Sequence, residues 1–397
     1  MKKLSRHCPI CPCETGVILH HQKFQLNDKS ILPNAYDVVS CEQCGFVYAD
    51  TAATQEIYNN YYAEYSKYED VNSVISTGGG TSIWDKERLQ ATAAEIGRCC
   101  KKDARVLDIG CANGGLLVAL KNAGYTHLFG IDPSKACANY VNKLGIKCYL
   151  GELFESDRYL NGEKFDFIIL SHVMEHISDV KRAALILREL LSDDGQLYIE
   201  TPDAGQYARH YIVPYYYFDS EHINHFDRNS LFNLFESAGF NTVQIMSKSF
   251  LVNETTRYPA IFGIFKKIAN PQPYIFLKDD AARKEIEQYI NMSNDTVSNQ
   301  VLEQLAGSGQ PIVVFGAGNF TARLLESTPL KKCNIYAFVD NDVKKHGNTF
   351  NNTLIREPAF LKQFKGPVVV CSALFFNQIL NQLKNDLQIP NEIITIR

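Results

Sequence analysis

Nowhere in its 397 residues does the chain have a run of the roughly 18 to 20 apolar side chains that a membrane-spanning helix needs. Its start, M-K-K-L-S-R-H-C-P, has no apolar stretch of signal-peptide length. Both absences predict a cytoplasmic protein without a membrane partner. An excess of positive charge is missing too: 40 Lys and Arg stand against 44 Asp and Glu, a formal net charge of -4. Residues 1–60 hold few basic side chains and no basic stripe interleaved with stacking aromatics, so nucleic acid is not an expected partner. The 12 cysteines do not make a secreted disulfide scaffold, because the chain is long and eight of them scatter through its strands and helices as reduced thiols do. The length exceeds one ordinary core and predicts two or three domains. Nothing in the sequence fixes an oligomeric state.

Residues 106–114 read V-L-D-I-G-C-A-N-G, an apolar strand running into a glycine turn that opens a helix. Such a turn suits a nucleotide-like cofactor: Gly110 and Gly114 let the backbone approach a ligand where a Cβ would collide, and Asp108 stands at the strand end. A dinucleotide turn would read G-x-G-x-x-G, and Ala112 occupies the place of its second glycine. About twenty residues on, Asp132 closes L-F-G-I-D, where an acid can hold ribose hydroxyls. Three further strands end at Gly151-Glu152-Leu153, at Ser171-His172 and at Pro202. A bare strand-to-helix turn needs no such series of polar strand ends. The pattern resembles the first motif of class I S-adenosylmethionine-dependent methyltransferases. The cofactor-binding set this resemblance implies is Asp108, Gly110, Cys111, Asn113 and Gly114 around the turn, Asp132 with Pro133, Glu152 with Leu153 near adenine, and Ser171 with His172.

Cys8-Pro-Ile-Cys11 and Cys41-Glu-Gln-Cys44 are two C-x-x-C knuckles that can present four thiolates tetrahedrally, with Gly45 suited to the tight turn beneath a metal. Soft ligands without cluster-type spacing favour structural Zn²⁺, which would staple a segment of roughly fifty residues too small to bury its own core. Cys13 is an alternative to either member of the first knuckle. A tyrosine-rich run from Tyr58 to Tyr68 follows. Its members, Tyr62 and Tyr65 among them, suit either a sugar or a domain interface.

His172-Val-Met-Glu-His176 matches the inverted zinc-protease motif, but His172 directly follows a buried strand and not a helix face, which rejects that reading. His176 either orients substrate or caps the next helix. Between Tyr215 and Asp227 the chain packs aromatics, Glu221, His222 and His225 into a dozen residues before an apolar helix closed by Gly239. A histidine beside an acid is poised to accept a proton near neutral pH. For His225, packing against that helix is the competing role.

After Phe250 a linking region with Pro259, Pro271 and Pro273 leads to a polar helical stretch from about Asp279 to Ala306. The strand I-V-V-F then enters Gly316-Ala-Gly318, and a later strand ends at Asp340, with Thr321 in place of the third glycine of a dinucleotide fingerprint. This predicts a small α/β domain.

Taken together the chain resembles the three-domain, zinc-containing nucleotide-sugar C-methyltransferases over nearly its whole length. The fold this implies is α/β: a Rossmann-like methyltransferase core (76–250) between an N-terminal zinc-binding module with a tyrosine-rich connector (1–75) and a second Rossmann-like domain that binds the substrate nucleotide (251–397). Where that family reads Tyr-His-Glu-His, this chain reads Asp219-Ser220-Glu221-His222. The resemblance places His222 as base and Glu221 beside it. It implies Asp219, Gly316, Gly318 and Asp340 as substrate contacts, beside Tyr62 and Tyr65, which their amphipathic rings make candidates for the sugar. The expected reaction is methyl transfer from S-adenosylmethionine to a keto sugar at carbon. The missing tyrosine leaves O-methylation open, and a non-catalytic binding protein built on the cofactor fold is the reading outside enzymes.

Overall fold

The structure is a computed structural model that describes residues 2–24, 26, 30–65, 82–297 and 300–396. The end of the tyrosine-rich run, and with it the Tyr65 side chain, lies outside what is described. No helix among the described residues is long and apolar enough to cross a membrane.

A seven-stranded sheet forms the centre. Its parallel part comprises β5 (Arg105–Ile109), β6 (His127–Asp132), β7 (Lys147–Leu150), β8 (Phe165–Ser171) and β9 (Leu191–Pro202). Two antiparallel strands, β11 (Phe240–Leu251) and β12 (Arg257–Lys267), complete the order β11-β12-β9-β8-β5-β6-β7. Ile168, Ile169 and Leu170 of β8 are all fully buried, as a parallel strand covered on both faces requires. Strand order reverses between β5 and β8, and a ligand crevice is expected outside the carboxyl ends of the strands there. The strand β12 departs from the sequence reading, which took this stretch for a linker because of Pro259. That proline stands one residue before the ladder to β9 begins at Ala260.

A five-stranded sheet precedes it: β1 (Lys2–Lys3), β2 (Thr15–Lys23), β3 (Ala35–Cys41), β4 (Val47–Asp50) and, closing the edge, β10 (Asn224–His225). The last strand comes from the segment after β9, with Asn224 opposite Tyr48 and His225 opposite Val47. The N-terminal segment is therefore stitched to the histidine-rich segment. Tyr36, Tyr58, Tyr207, Tyr217, Phe218 and Tyr289 share one buried aromatic cluster that joins this sheet to the helix Ala281–Val297. Gly45, at φ 80°, admits the linker: a Cβ there would lie 1.8 Å from the Asp279 carbonyl oxygen.

The C-terminal sheet has the order β15-β16-β14-β13-β17-β18. Its strands are β13 (Ile312–Phe315), β14 (Ile335–Val339), β15 (Thr349–Phe350), β16 (Thr353–Arg356), β17 (Val368–Val370) and β18 (Ile393–Thr395), all parallel except β15. The helices Ala281–Val297 and Gln300–Ser308 precede it, as the polar stretch predicts.

Candidate active site

The turn after β5 passes through three left-handed residues, Gly110 (φ 70°), Ala112 (φ 47°) and Gly114 (φ 77°). Ala112 pays for this conformation with a hydrogen bond, its N–H donating to Asp132 Oδ2 at 2.7 Å. The other carboxylate oxygen of Asp132 accepts from the Ser134 N–H at 2.9 Å. Both bonds hold the acid at the rim of a cleft of about 150 Å³ lined by Gly110, Ala112, Asp132, Pro133, Glu152, Leu153, His172 and Val173. Burial, and then Glu155, push the Glu152 carboxyl up to about 7.

The remaining turn residues serve the fold around the cleft and do not line it. Asp108 is buried behind the turn, and burial, with Asp132 second, raises its carboxyl to about 8. Cys111 turns its Sγ to Cys148 at 3.6 Å, and Asn113 Oδ1 accepts from the Gly115 N–H at 3.3 Å. Ser171 ends β8 off the cleft wall. The two glycines make room for protein as well: a Cβ on Gly110 would meet Val173 at 2.6 Å, and one on Gly114 would meet Val141 at 2.9 Å.

The opposite wall carries Gln55, Asn59 and Tyr62, which sequence reasoning missed apart from the tyrosine. They recur at i, i+4 and i+7, one face of the helix Gln55–Asn60 and the turn that continues it. Gln55 Oε1 also accepts the Ser178 N–H at 2.8 Å, which ties the helix to the loop after β8.

His172, at φ 58°, lies between two buried carboxylates, with Nδ1 3.3 Å from Glu175 Oε1 and Nε2 3.2 Å from Glu200 Oε1. Burial disfavours its charge, but the two acids outweigh burial and raise its pKa. Glu200 is anchored in turn by Lys248 at 2.7 Å and the Tyr198 hydroxyl at 2.5 Å. His176 lines the cofactor cleft, and its Nδ1 lies 2.9 Å from both the Tyr62 hydroxyl and the Glu221 carbonyl oxygen. Its ring centroid is 4.8 Å from that of His222, so the two imidazoles meet edge to face. Burial, followed by repulsion from His176, lowers the pKa of His222 to about 4.

Glu221 does not serve His222 as the sequence suggested. Its carboxylate oxygens accept from the hydroxyls of Tyr61 at 2.8 Å and Tyr62 at 3.0 Å. The acid grouped with His176 and His222 is Glu175, and the ligand-type atoms of all three lie within 4.8 Å of one another. The H-x-x-E-H spacing after β8 carried that signal. His225 is fully buried in β10, with Nδ1 3.4 Å from the Tyr207 hydroxyl, and burial drops its pKa to about 3. It lines neither cleft and packs the core.

A second cleft, about 750 Å³, opens between the segment holding Asp219 and His222 and the ends of β13 and β14. Gly316, Gly318 and Asp340 line it. Asp340 repeats the arrangement of Asp132: Oδ2 accepts the Ala317 N–H at 2.8 Å and Oδ1 the Asp342 N–H at 2.9 Å. Gly316 is required by contact, since a Cβ would lie 2.3 Å from the Cys371 carbonyl oxygen, whereas Gly318 faces open space. Thr321, in place of a third glycine, donates its hydroxyl to the Gly316 carbonyl at 2.6 Å. Asp219 Oδ2 lies 3.3 Å from Arg323 Nη1, and although burial opposes its ionisation, Arg323 holds its carboxyl low.

Cys8, Cys11, Cys41 and Cys44 converge at the N-terminal end, their sulfurs all within 4.8 Å of one another. Cys13 stays outside the group, its Sγ 3.5 Å from the Thr15 carbonyl oxygen.

A family model described as a methyltransferase domain matches residues 82–245, and a second, described as C2185-like, N-terminal, matches residues 309–395. A tRNA U34 carboxymethyltransferase of Campylobacter hominis is 34% identical over 101 residues, covering 24% of this chain and 35% of the relative. A carboxy-S-adenosyl-L-methionine synthase of the same organism is 20% identical over 275 residues, covering 68% of this chain and 97% of the relative. The solved magnesium protoporphyrin IX methyltransferase of Synechocystis PCC 6803 with bound SAH is 15% identical, with a TM-score of 0.40, over 54% of this chain and 99% of that one. The chain spans about a third of the length of the first of these relatives. Over residues 82–245 the chain is thus similar to a methyltransferase domain.

Proposed function

We propose that the chain transfers the methyl group of S-adenosylmethionine to a nucleotide-linked keto sugar, at carbon, with His222 as the base. The observation that carries this reading is the placement of two touching imidazoles: His176 lines the cofactor cleft and His222 lines the second cleft. The first cleft fits the cofactor. Asp132 offers a carboxylate for ribose hydroxyls, Glu152 a polar group near adenine, and Ile109, Ile131, Leu153 and Phe154 an apolar lining. Bound there, S-adenosylmethionine supplies an electrophilic methyl group. The second cleft, with the β13 turn, Asp340 and the C-terminal sheet read as a second Rossmann-like unit, would take the nucleotide.

His222 would then accept the proton α to the keto group, and the resulting enolate carbon would attack the methyl in line. The C–H pair becomes the enolate, a C–C bond forms, and the S–C pair stays on sulfur. The protein supplies alignment and the base. Four cysteine sulfurs within 4.8 Å of one another fit structural Zn²⁺ at Cys8, Cys11, Cys41 and Cys44, a set that would leave no ligand position for chemistry. Elemental analysis should find zinc that is lost when Cys41 and Cys44 are both replaced by serine.

Mass spectrometry of the protein incubated with S-adenosylmethionine and nucleotide sugars, with and without a keto group, tests the reaction. A C-methylated product is expected only from the keto members. His222→Asn should lower turnover by about 10²- to 10⁴-fold while sparing cofactor affinity. A product carrying a new ether would replace this reading by O-methylation. A keto sugar exchanging its α-proton in D₂O with wild type and not with the variant would support the enolate.

A further inference from the structure

Glu175 is 1% exposed; one oxygen pairs with His172 Nδ1 at 3.3 Å, while Oε2 has no hydrogen-bond partner among the described residues. Buried polar atoms are rarely left so, and each such case calls for an explanation, of which a bound ion is one. An oxygen of Glu175 and one ring nitrogen each of His176 and His222 lie within 4.8 Å of one another. Ligand atoms 2.0–2.2 Å from a tetrahedral ion stand about 3.3–3.6 Å apart, so side-chain rotations that draw pairs together by up to about 1.5 Å complete the set.

The surroundings of His176 match those of a metal ligand. Its Nδ1 is 2.9 Å from the Glu221 carbonyl oxygen, which fixes the proton there and leaves the Nε2 lone pair on the side of Glu175, 3.9 Å away. Neither ring nitrogen of His222 hydrogen-bonds to any of the described residues. Two imidazoles and one carboxylate suit a borderline cation better than Mg²⁺ or Ca²⁺, which prefer oxygen.

We propose that Glu175, His176 and His222 bind one divalent cation of the Zn²⁺ class in the passage between the two clefts. The cation, by taking the His222 lone pair, blocks the proton abstraction assigned to that residue. The binding half stands without the function proposed above; the inhibitory half rests on it.

The test uses the full chain, equilibrated with Zn²⁺ and freed of excess by gel filtration, followed by elemental analysis. Wild type should retain about one equivalent more than Glu175→Gln and His222→Asn, each checked for an unchanged melting curve. Two variants from different segments guard against a fold defect in either. With Co²⁺ the extra equivalent should show the weak visible bands of nitrogen and oxygen ligation, without thiolate charge transfer. Equal metal content in wild type and both variants overturns the site. Where methyl transfer is measurable, Zn²⁺ should lower it about tenfold or more and a chelator should restore it. An extra equivalent bound without loss of turnover overturns the inhibitory role. An extra equivalent in a protein that methylates no keto sugar supports the site and tells against the proposed function alone.

Discussion

The guanidinium of Arg6 donates to Asn224 Oδ1 at 2.9 Å across 218 residues of chain. The same group donates to the carbonyl oxygens of Ser178 at 2.6 Å and Ile223 at 3.0 Å. One side chain thus clamps the N-terminal sheet to the loop after His176 and to the strand after His222. Burial brings its pKa down only to about 10, so it remains charged at neutral pH. Arg6→Ala removes charge-assisted bonds and leaves enclosed carbonyls unpaired, and it is expected to lower stability by about 3 kcal/mol. Arg6→Lys should recover part of this, since an ammonium lacks the planar fork. Urea unfolding of both variants checks the clamp, and an Arg6→Ala protein as stable as wild type would show that it holds nothing.

Asp132 has two tasks, fixing the left-handed Ala112 and facing the cleft. Asp132→Ala should weaken S-adenosylmethionine binding by about 1.5 to 3 kcal/mol, the range for a hydrogen bond to a charged group. Because the Ala112 N–H also loses its acceptor, the melting temperature should fall as well. Calorimetry with unchanged affinity would remove Asp132 from the cofactor site.

Much of this site is legible in the sequence because it is local. Asp108, Gly110, Asp132 and Glu152 are strand ends or turn residues, and the period of each strand announces where it stops. Glu175 stands in the H-x-x-E-H run between His172 and His176, but its closeness to His222, 47 residues further along, is made by tertiary packing and has no local signal. The same holds for β10, a two-residue strand with no pattern of its own, which pairs only because Val47 and Tyr48 are waiting. Likewise β12 was hidden by Pro259, whose position relative to the ladder cannot be read from spacing alone.

Asp108 gives a pH signature that follows from its burial. Its carboxyl binds a proton with a pKa of about 8 in the folded state, well above the usual carboxylate value, so the folded state holds that proton more tightly than the unfolded chain. Stability is therefore fullest at low pH and is lost as pH rises from the unfolded pKa toward 8, at a slope of at most about 1.4 kcal/mol per pH unit. Asp108→Asn keeps the shape and removes the titration. Subtracting its unfolding free energy from that of wild type at pH 5 and pH 8 should leave a decline of a few kcal/mol. A flat difference would mean that Asp108 ionises freely where it lies.

Arg323 joins the C-terminal sheet to the segment that carries His222. Its side chain is 4% exposed and lies 3.3 Å from Asp219, itself two residues before Glu221. Removing Arg323 leaves the half-buried Asp219 carboxylate with weaker donors such as Asn319 and the Glu221 N–H, which costs more than the pair contributes. Arg323→Ala is therefore expected to destabilise by about 3 kcal/mol, and Asp219→Asn combined with it should return part of that loss. Both residues line the second cleft and not the first, so the affinity for a nucleotide-sugar substrate should fall while that for S-adenosylmethionine stays within about twofold. Equilibrium binding of each ligand to the two single variants and the double variant separates these effects. Equal losses for both ligands would mean that Arg323 supports the whole molecule and gives the second cleft no separate role.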